Sequence, residues 1–431
     1  MWPSDQQPKP RLTKPVKFLH AADIHLDSPM RGLAAYEGAP QEAMRSATRR
    51  AFENLIQLAL DEQVDLVLIA GDLYDGDWQD YNTGLFFARQ MTRLADAEIP
   101  VFLIAGNHDA ASVLTKQLSL PANCVQLSTK KPETRLREDL GVAIHGQGFA
   151  TRAVMENLSS AYPGPVDGVL NIGMLHTNAD GQPGHDNYAP CKVAELFDHG
   201  YQYWALGHIH QREVLNEDPF IVFPGNVQGR SVRETGGKGA TLVTYEDAAV
   251  LDVEHRDLDV ARWEVCQIDA ASAVTMDDVL VMANEALGAA VDAADGRLLA
   301  ARVVISGACE AHAAITADLE QLVNEVRAQA VNVGTDRVWV EKVKVRTQSP
   351  VDLEEVRRRE DAIGELLRSI HDLGDEDLAE LAGHFTDLSS KLPKELRDAA
   401  DPFDPTDPEM IRVLVGEVEQ MLLPRLTLED A

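Results

Sequence analysis

The amino-acid sequence predicts an α/β fold built on a two-sheet sandwich, followed by a small α+β domain and a helical segment. Three observations lead to this expectation. Apolar runs alternate with helical periodicity up to about residue 110, short apolar runs separated by turn residues follow from about residue 135, and a charged amphipathic pattern fills the chain beyond Pro350. Strands that alternate with helices are typical of parallel sheets, whereas consecutive short strands indicate a further sheet.

The N-terminal alternation predicts three strands and two crossover helices. The runs VKFLHAA, VDLVLIA and VFLIA are apolar throughout, which suits strands buried on both faces of a parallel sheet. Apolar side chains recur at helical spacing between these runs, and we expect helices at about 41–61 and 81–97. Polar residues follow each strand directly.

The segment beyond residue 135 predicts a second sheet that packs on the first, with helices outside. Turn residues separate its six apolar runs, which are GVAIHG, VLNIGMLH, YWALGHIH, FIVFPGN, ATLVTYE and VLDVEH. Each run is as short as an ordinary strand, so this half of the domain is rich in strands.

The remaining chain predicts a small α+β domain and then helices. The strand-like runs WEVCQI, ARVVISG and VWVEKVKVR alternate with helical patterns at about 274–289 and 313–331, and a last helix is expected at about 409–423. Helical spacing also places one apolar stripe on Leu353, Val356, Ile363, Leu366, Leu367 and Ile370. We therefore divide the chain into a flexible N-terminus (1–15), a main α/β domain (16–260), an α+β domain (261–348) and a helical, acidic C-terminal region (349–431).

Composition excludes several classes of protein. No apolar run approaches the roughly 18 residues of a membrane span, and the N-terminus lacks the apolar stretch of a signal peptide, so we expect a cytoplasmic protein without membrane contact. The four cysteines form no C-x-x-C pair, which excludes a zinc ribbon. The net charge of −31 provides no overall basic surface for nucleic acid. A polyanionic substrate would therefore need local basic patches, metal ions or a partner to supply positive charge.

Five short polar segments stand at the ends of apolar runs. Because sites in open α/β sheets form outside the carboxyl ends of the strands, we expect their side chains to surround one cavity. The segments are Asp23-Ile24-His25, Gly71-Asp72-Leu73-Tyr74-Asp75, Gly106-Asn107-His108-Asp109, Leu175-His176-Thr177 and Gly207-His208-Ile209-His210.

The residue types in these segments suit divalent metals. Carboxylate oxygens, an amide oxygen and imidazole nitrogens together match Mn, Fe or Zn, whereas an oxygen-only set would suit Mg or Ca. Side chains two apart on an extended strand end point the same way, so the pairs in D-x-H and H-x-H can hold one ion. Each segment alone is weak evidence, since a single D-x-H is usually surface and a single histidine is usually a satisfied core residue. All five in this order predict a metal site.

The five segments resemble the motifs of the calcineurin-like metallophosphoesterase superfamily, which are D-x-H, G-D-x-x-D, G-N-H-D/E, H and G-H-x-H. Within the superfamily, LHAADIHLDSP and AGNHD resemble the SbcD-type DNA repair nucleases. The stretches GHDNYAPC and IVFPGNVQGRSVRETGGKG are more similar to the bacterial YhaO-like branch. The resemblance covers about 16–245 and continues more weakly through VWVEKVKVRT to about 346.

The resemblance implies a two-sheet metallophosphoesterase fold that holds two divalent metal ions, with Mn expected and Mg, Fe or Zn as alternatives. It implies that Asp72 bridges the two ions and that His108 is the catalytic histidine. The implied ligands are Asp23, His25, Asp72 and His210 for the first ion, and Asp72, Asn107, His176 and His208 for the second. Position 75 departs from the archaeal and eukaryotic nucleases, which carry histidine there, but the bacterial SbcD pattern also has aspartate.

The function implied by the resemblance is that of a two-metal phosphodiester hydrolase, a DNA exonuclease or endonuclease in DNA repair that acts with an SMC-like ATPase of the SbcC type. The 261–348 domain would then be a capping domain, and a homodimer is among the assemblies allowed. A phosphodiesterase or phosphatase for a small or nucleotide substrate is the alternative. A non-catalytic scaffold for the ATPase is a third hypothesis, which the full ligand set disfavours.

Three basic residues after the last motif could contact substrate. Arg230, Arg233 and Lys238 form a compact cluster that suits a phosphate backbone, and a solvated hairpin explains them equally well. His185 lies in a glycine- and proline-rich loop that either lines the cleft or is solvated. The C-terminal apolar stripe either docks on the coiled coil of an SbcC-type ATPase, as the resemblance implies, or covers the chain's own core.

Overall fold

The structure is a computed structural model of the 431-residue chain. It describes residues 15–28, 40–75, 81–111, 120–182, 186–247, 249–334, 337–351, 353–393 and 403–427. The predicted flexible N-terminus, apart from Pro15, and the loop residue His185 lie outside these ranges.

Strands and helices alternate through the first third of the chain as the sequence predicts. Within the described residues, the strands are Val16–Ala21 (β1), Leu66–Ala70 (β2), Val101–Ile104 (β3), Cys124–Gln126 (β4), Glu133–Arg137 (β5), Val142–Gln147 (β6), Leu170–His176 (β7), Tyr203–Gly207 (β8), Glu213–Glu217 (β9), Phe220–Phe223 (β10), Gly239–Glu246 (β11), Ala249–Asp257 (β12), Ala261–Asp269 (β13), Leu298–Ala308 (β14) and Val338–Gln348 (β15). The helices there are Gln41–Asp61 (α1), Tyr81–Asp96 (α2), Asn107–Ala111 (α3), Val193–Asp198 (α4), Met276–Ala293 (α5), His312–Ala317 (α6), Leu319–Gly334 (α7), Leu353–Arg357 (α8), Ala362–His371 (α9), Asp375–His384 (α10), Thr386–Lys391 (α11) and Pro408–Thr427 (α12).

Two six-stranded sheets carry the main domain, and the predicted two-sheet α/β fold is confirmed. The first sheet has the order β12-β11-β1-β2-β3-β4 and the second the order β5-β6-β7-β8-β10-β9. Strands β1 to β4 pair in parallel, as expected for strands joined by crossover helices. The prediction was wrong for ATLVTYE and VLDVEH, because they form β11 and β12 and pair antiparallel at the edge of the first sheet.

Alternating side chains of the buried strands serve two separate cores. In β2, Leu66 and Leu68 face the second sheet and pack in one cluster with Ile144 and Ile172. Their neighbours Val67 and Ile69 belong to a different cluster, which includes residues of α1 and α2. Because successive strand side chains point to opposite faces, a strand that is buried on both faces must be apolar at every position. This explains why the sequence shows continuous apolar runs here.

The helical predictions beyond residue 260 need two corrections. The helix expected at 313–331 is divided at Asp318, whose backbone has φ −145° and ψ 79° and therefore ends α6 before α7 begins. The single C-terminal stripe falls on two helices, α8 and α9. Val356, Ile363 and Leu367 pack together there, whereas Leu366 is 40% exposed. The side chain of Leu353 lies outside the described set.

The described residues fall into two compact units. The first lies within Met1–Val265, Ala290–Ala301 and Asp336–Glu341, and the second within Cys266–Ala289, Arg302–Thr335 and Lys342–Ala431. A three-stranded sheet has the order β13-β14-β15. The predicted division at residues 261 and 349 stays a prediction. Among the helices that the structure describes, none is long and apolar enough to cross a membrane.

Candidate metal centre

The five polar segments converge at the carboxyl ends of β1, β2, β3, β7 and β8. Backbone hydrogen bonds join the first two of these exits, since Asp23 N donates to Gly71 O and His25 N donates to Asp72 O, both at 3.0 Å. Three sets of side chains place one possible ligand atom each within 4.8 Å of one another. These sets are Asp23, His25 and His210; His25, Asp72 and His108; and Asp23, Asp72 and His176.

Two histidines face each other in the first part of the site. The Nδ1 of His25 lies 3.1 Å from Asp75 Oδ1, and the Nδ1 of His210 lies 2.8 Å from Glu234 Oε1. A carboxylate only accepts hydrogen bonds, so each ring places its proton on Nδ1. Both Nε2 atoms then carry lone pairs, and they are only 3.3 Å apart. Two acceptors at this distance repel unless a cation lies between them.

The second part of the site shows the same arrangement. His176 donates from Nδ1 to the Ala70 carbonyl at 2.9 Å, which leaves a lone pair on Nε2. That Nε2 lies 2.9 Å from Asn107 Oδ1 and 3.5 Å from Asp72 Oδ2. Burial lowers the pKa of His176 to about 3, so the ring stays neutral at physiological pH. Nitrogen and oxygen acceptors therefore face one another here, and no described residue places a donor between them.

Asp72 lies between the two parts and is almost completely buried. One of its oxygens accepts from His108 N at 2.9 Å, and the other lies 3.5 Å from His176 and 3.9 Å from His25. Burial raises the pKa of Asp72, and the positive charge of His108 only partly opposes this. Burial and the Asp72 charge also hold the pKa of Asp23 well above its ordinary value. The residues therefore fit divalent cations, which would supply the missing positive charge.

The contacts of His208 differ from those of the other histidines in the site. Its backbone N–H donates to both oxygens of Asp23, at 2.9 and 3.1 Å. Its Nε2 lies 2.9 Å from the Asp186 carbonyl oxygen. His208 belongs to none of the three sets above. Its assignment as a ligand of the second ion stays a prediction that would require the other ring nitrogen, Nδ1.

Several proposed ligands have an unusual backbone conformation. The φ angles of Asp23, His25, Asp72 and His208 are 50°, 46°, 52° and 102°. Residues other than glycine seldom adopt such positive values, and those that do are concentrated at functional sites. The strand exits are therefore held in strained turns that aim these side chains into the site.

His108 forms a charged pair with Asp75 at the mouth of the site. Its Nδ1 lies 2.9 Å from Asp75 Oδ1, and its side chain is 34% exposed. Burial opposes protonation of His108, but the Asp75 hydrogen bond and the Asp72 charge outweigh it and raise its pKa. The mouth is a cavity of about 390 Å³ that is lined by Asp72, Asn107, His108, Asp186, Tyr188, His208 and His210. His108 can therefore reach a molecule bound in this cavity.

The structure also reveals supporting residues to which the sequence analysis assigned no role. Asp109 is buried and accepts from the backbone N–H groups of Leu73, Tyr74 and Gly106 at 3.0 to 3.2 Å. It thereby holds the exits of β2 and β3 together. Asp75 and Glu234 hold the histidines as described. Asp75 and Asp109 stand inside the motifs, but nothing in the local spacing points to Glu234.

The basic cluster divides into three different environments. The Arg230 guanidinium lies 3.1 Å from Glu234 and 3.8 Å from Asp75, beside the site. Arg233 is exposed. Lys238 is buried, and its Nζ donates to the His210 carbonyl at 3.0 Å, so its contacts favour support of the last motif over contact with substrate.

Comparison with known proteins gives two family matches and several relatives. The sequence model of the calcineurin-like phosphoesterases matches residues 16–212, and that of the middle domain of metallophosphoesterase YhaO matches residues 263–348. The chain is 36% identical over 272 residues to the uncharacterized metallophosphoesterase YhaO of Bacillus subtilis (strain 168), an alignment that covers 62% of this chain and 66% of that protein.

More distant similarity connects the chain to proteins named DNA double-strand break repair protein Mre11. The protein of Sulfurisphaera tokodaii is 26% identical over 271 residues, covering 59% of this chain and 65% of that protein. The protein of Saccharolobus solfataricus is 26% identical over 247 residues, and this alignment covers 53% of this chain and 60% of that protein. The chain spans slightly less than two thirds of the length of each of these three relatives.

We expect Gly207→Ala to disrupt the site. A Cβ at Gly207 would clash with the Ala70 carbonyl oxygen and lie 2.9 Å from His176 Nδ1, the two atoms that hydrogen-bond to each other. Overpacking of this kind costs about 1–3 kcal/mol, and the displaced His176 should bind metal more weakly. Thermal unfolding and Mn²⁺ titration measure both effects.

Gly164→Ala is the matched control, because no described atom lies within 4 Å of its added Cβ. It should leave both quantities unchanged. Native Mn²⁺ affinity in Gly207→Ala would contradict the packing argument.

Proposed function

The chain contains a calcineurin-like metallophosphoesterase domain, and from that premise we propose that it hydrolyses phosphodiester bonds in DNA as a cytoplasmic, two-metal nuclease. The observation that supports this most strongly is the convergence of buried acceptor atoms at five strand ends, beside an accessible histidine. A scaffold protein has no need for such a group, because burying unmatched acceptors costs stability.

We assign the metals to the residues whose acceptor atoms face one another, together with His208, which would bind through Nδ1. Asp23, His25, Asp72 and His210 would hold one ion, Asp72, Asn107, His176 and His208 the other, and Asp72 would bridge them. When bound, divalent cations supply Lewis-acid stabilisation of a phosphate oxygen. Mn²⁺ is the expected metal, because the set mixes imidazole nitrogens with carboxylate and amide oxygens.

His108 is the proposed proton donor. Its Nδ1 donates to Asp75, which fixes the ring, and His108 lines the cavity, so Nε2 is the ring nitrogen that remains for a substrate. Although burial opposes it, hydrogen bonds from His108 and His25 lower the pKa of Asp75, so this carboxylate stays ionised. A protonated His108 can then pass its Nε2 proton to the leaving oxygen of the ester.

Arg230 is the proposed contact to substrate phosphate. Its guanidinium carries a fixed positive charge beside His25 and His210, and a guanidinium is suited to phosphate oxygens. Arg233 is exposed nearby in the sequence and would contact an extended strand of nucleic acid. Lys238 would act indirectly, through the backbone of His210.

DNA is preferred as substrate because of the similarity to proteins named for double-strand break repair. The role in repair with an SMC-like ATPase partner follows the same similarity and is part of the proposal. A small phosphodiester or nucleotide is the second candidate, and the cavity of about 390 Å³ favours it, because small ligands occupy pockets of about 300–1,000 Å³.

A nuclease assay distinguishes the two candidates. End-labelled duplex and single-stranded DNA are incubated with the full chain in Mn²⁺ or Mg²⁺, with and without a candidate ATPase. Bis(p-nitrophenyl) phosphate serves as the small diester in parallel. Cleavage of DNA supports the nuclease, whereas hydrolysis of the small diester alone supports the second candidate.

We expect the Asp72→Ala variant to lose both metal ions. The substitution removes a carboxylate that lies between the two groups of acceptors, 3.5 Å from His176 and 3.9 Å from His25. Elemental analysis of purified protein should show two metals per chain for the wild type and fewer than one for the variant. Asp139→Ala, which removes an exposed carboxylate of the same domain, should retain both. Two tightly held metals in Asp72→Ala would refute the bridging role.

His108→Ala should keep its metals and lose turnover. General acid help is typically worth about 10²–10⁴-fold, so kcat should fall by that amount. Steady-state kinetics and elemental analysis on the same preparation separate the two effects. His384→Ala, an exposed histidine elsewhere in the chain, is the control and should behave as wild type. Loss of metal together with activity would make His108 a ligand instead.

Leu366→Glu and Val413→Glu should weaken binding to an SbcC-type ATPase. These side chains are 40% and 61% exposed on α9 and α12, so the changes should not disturb folding. Hydrolysis of a small diester should stay at the wild-type level. Val281→Glu, at a position 58% exposed on α5, is the control. Undiminished co-purification of the ATPase with both variants would show that these positions do not bind it.

A further inference from the structure

The loop between β10 and β11, residues 224–238, supports the metal centre through a single carboxylate. We call it the support loop. Glu234 of this loop accepts four hydrogen bonds, two on each oxygen. Oε1 is 2.8 Å from His210 Nδ1 and 3.1 Å from Arg230 Nη2. Oε2 is 2.7 Å from the backbone N of Arg230 and 3.0 Å from Asn226 Nδ2.

These contacts determine which nitrogen of His210 carries its proton. Two neighbours of Nδ1 make opposite demands, because Arg230 Nη2 lies 3.3 Å away and can only donate, whereas the Glu234 carboxylate lies 2.8 Å away and can only accept. The shorter, charge-assisted contact is the stronger one. Arg230 Nη2 also donates to the same Glu234 oxygen at 3.1 Å, so the guanidinium has an anionic acceptor that is closer than the His210 ring. The proton of His210 therefore resides on Nδ1.

With the proton on Nδ1, the lone pair of His210 resides on Nε2, which faces His25 Nε2 at 3.3 Å and lies 3.9 Å from Asp23. The opposite tautomer would present an N–H to the site and could not bind a cation. We propose that Glu234 is a positioning residue that fixes the tautomer and orientation of His210 for the first ion. The inference rests on the proposed function, because it assigns His210 to a metal.

The carboxylate is required in this role because both of its oxygens are used. A glutamine has the same length but only one acceptor oxygen. Its amide N–H₂ would face either the His210 and Arg230 donors or the Arg230 N and Asn226 donors. Glu234→Gln must therefore turn an N–H₂ group towards one of these pairs of donors, and His210 loses the anionic partner that strengthens it as a ligand.

The support loop has anchors that do not involve Glu234. Trp263 Nε1 donates to the Gly229 carbonyl at 3.1 Å, and Lys238 Nζ donates to the His210 carbonyl at 3.0 Å. Gln228 Oε1 accepts from the backbone N of Val260 at 2.9 Å. The loop backbone is thus held on both sides of Glu234, so the variant should affect His210 more than the fold.

The test is a Mn²⁺ titration of the metal-free full chain by calorimetry. Wild type, Glu234→Gln, His210→Ala and Glu254→Gln are compared, the last being an exposed glutamate on β12. We expect Glu234→Gln to lower the affinity for one of the two Mn²⁺ ions by about 10–100-fold, the effect that is typical when a residue hydrogen-bonded to a metal ligand is lost. The other ion and the Glu254→Gln control should be unaffected. A role confined to folding would not weaken one ion selectively.

A second measurement determines the tautomer in the wild-type protein and does not require Glu234→Gln to fold. In metal-free wild-type protein labelled with ¹⁵N-histidine, the resonances of His210, assigned with His210→Ala, report its tautomer. We expect the Nδ1–H form, and the Nε2–H form would overturn the inference. Wild-type Mn²⁺ affinity in Glu234→Gln would overturn it as well. In either case the proposed function stands if His210→Ala loses an ion, and fails if wild type binds no Mn²⁺.

Discussion

The main constraint on this structure is the burial of carboxylates and neutral imidazoles at one edge of two packed sheets. Asp23, Asp72 and Asp109 are each at most 3% exposed, and burial raises the pKa of all three. Each accepts backbone N–H groups from another strand exit, namely His208 for Asp23, His108 for Asp72, and Leu73 and Tyr74 for Asp109, which also accepts from Gly106 of its own exit. The acids therefore join the loops that carry them, and the same bonds shape the site.

The strained backbone of the strand exits is a consequence of this arrangement. Left-handed residues other than glycine cost of the order of 1–3 kcal/mol each and persist only where the surroundings determine them. The surroundings here are the two cores of the sandwich, in which β2 is buried at every position. The buried strand β2 fixes the position of the Asp72 backbone, and the turn after β2 orients the Asp72 side chain. The two packed cores of the sandwich are therefore needed to hold the strained strand exits of the site in place.

The sequence predicts the strand ends and their convergence because both depend on local patterns. Apolar runs mark buried strands, and parallel strands bring their carboxyl ends to one edge. The sequence does not predict that β11 and β12 join the first sheet, since an antiparallel strand has the same pattern in either sheet. The sequence also cannot distinguish the role of Arg230 from that of Lys238, because the two side chains carry the same charge. Only the fold shows that one lies beside the histidines and the other under the backbone of His210. Glu234 is 24 positions from the ring it holds, so no spacing rule finds it.

The negative net charge of the chain, −31, is matched by a shortage of positive charge at the site. Arg230 and His108 carry positive charge beside the described acceptors, yet Glu234 and Asp75 offset the charge of Arg230 at 3.1 and 3.8 Å, and Asp75 offsets that of His108 at 2.9 Å. His25, His176 and His210 stay neutral, because burial lowers the pKa of each. The protein groups alone would therefore repel a phosphate more than attract it. Under the proposed function, divalent ions are needed to bring the substrate in as well as to assist its hydrolysis, so metal should govern KM and kcat together.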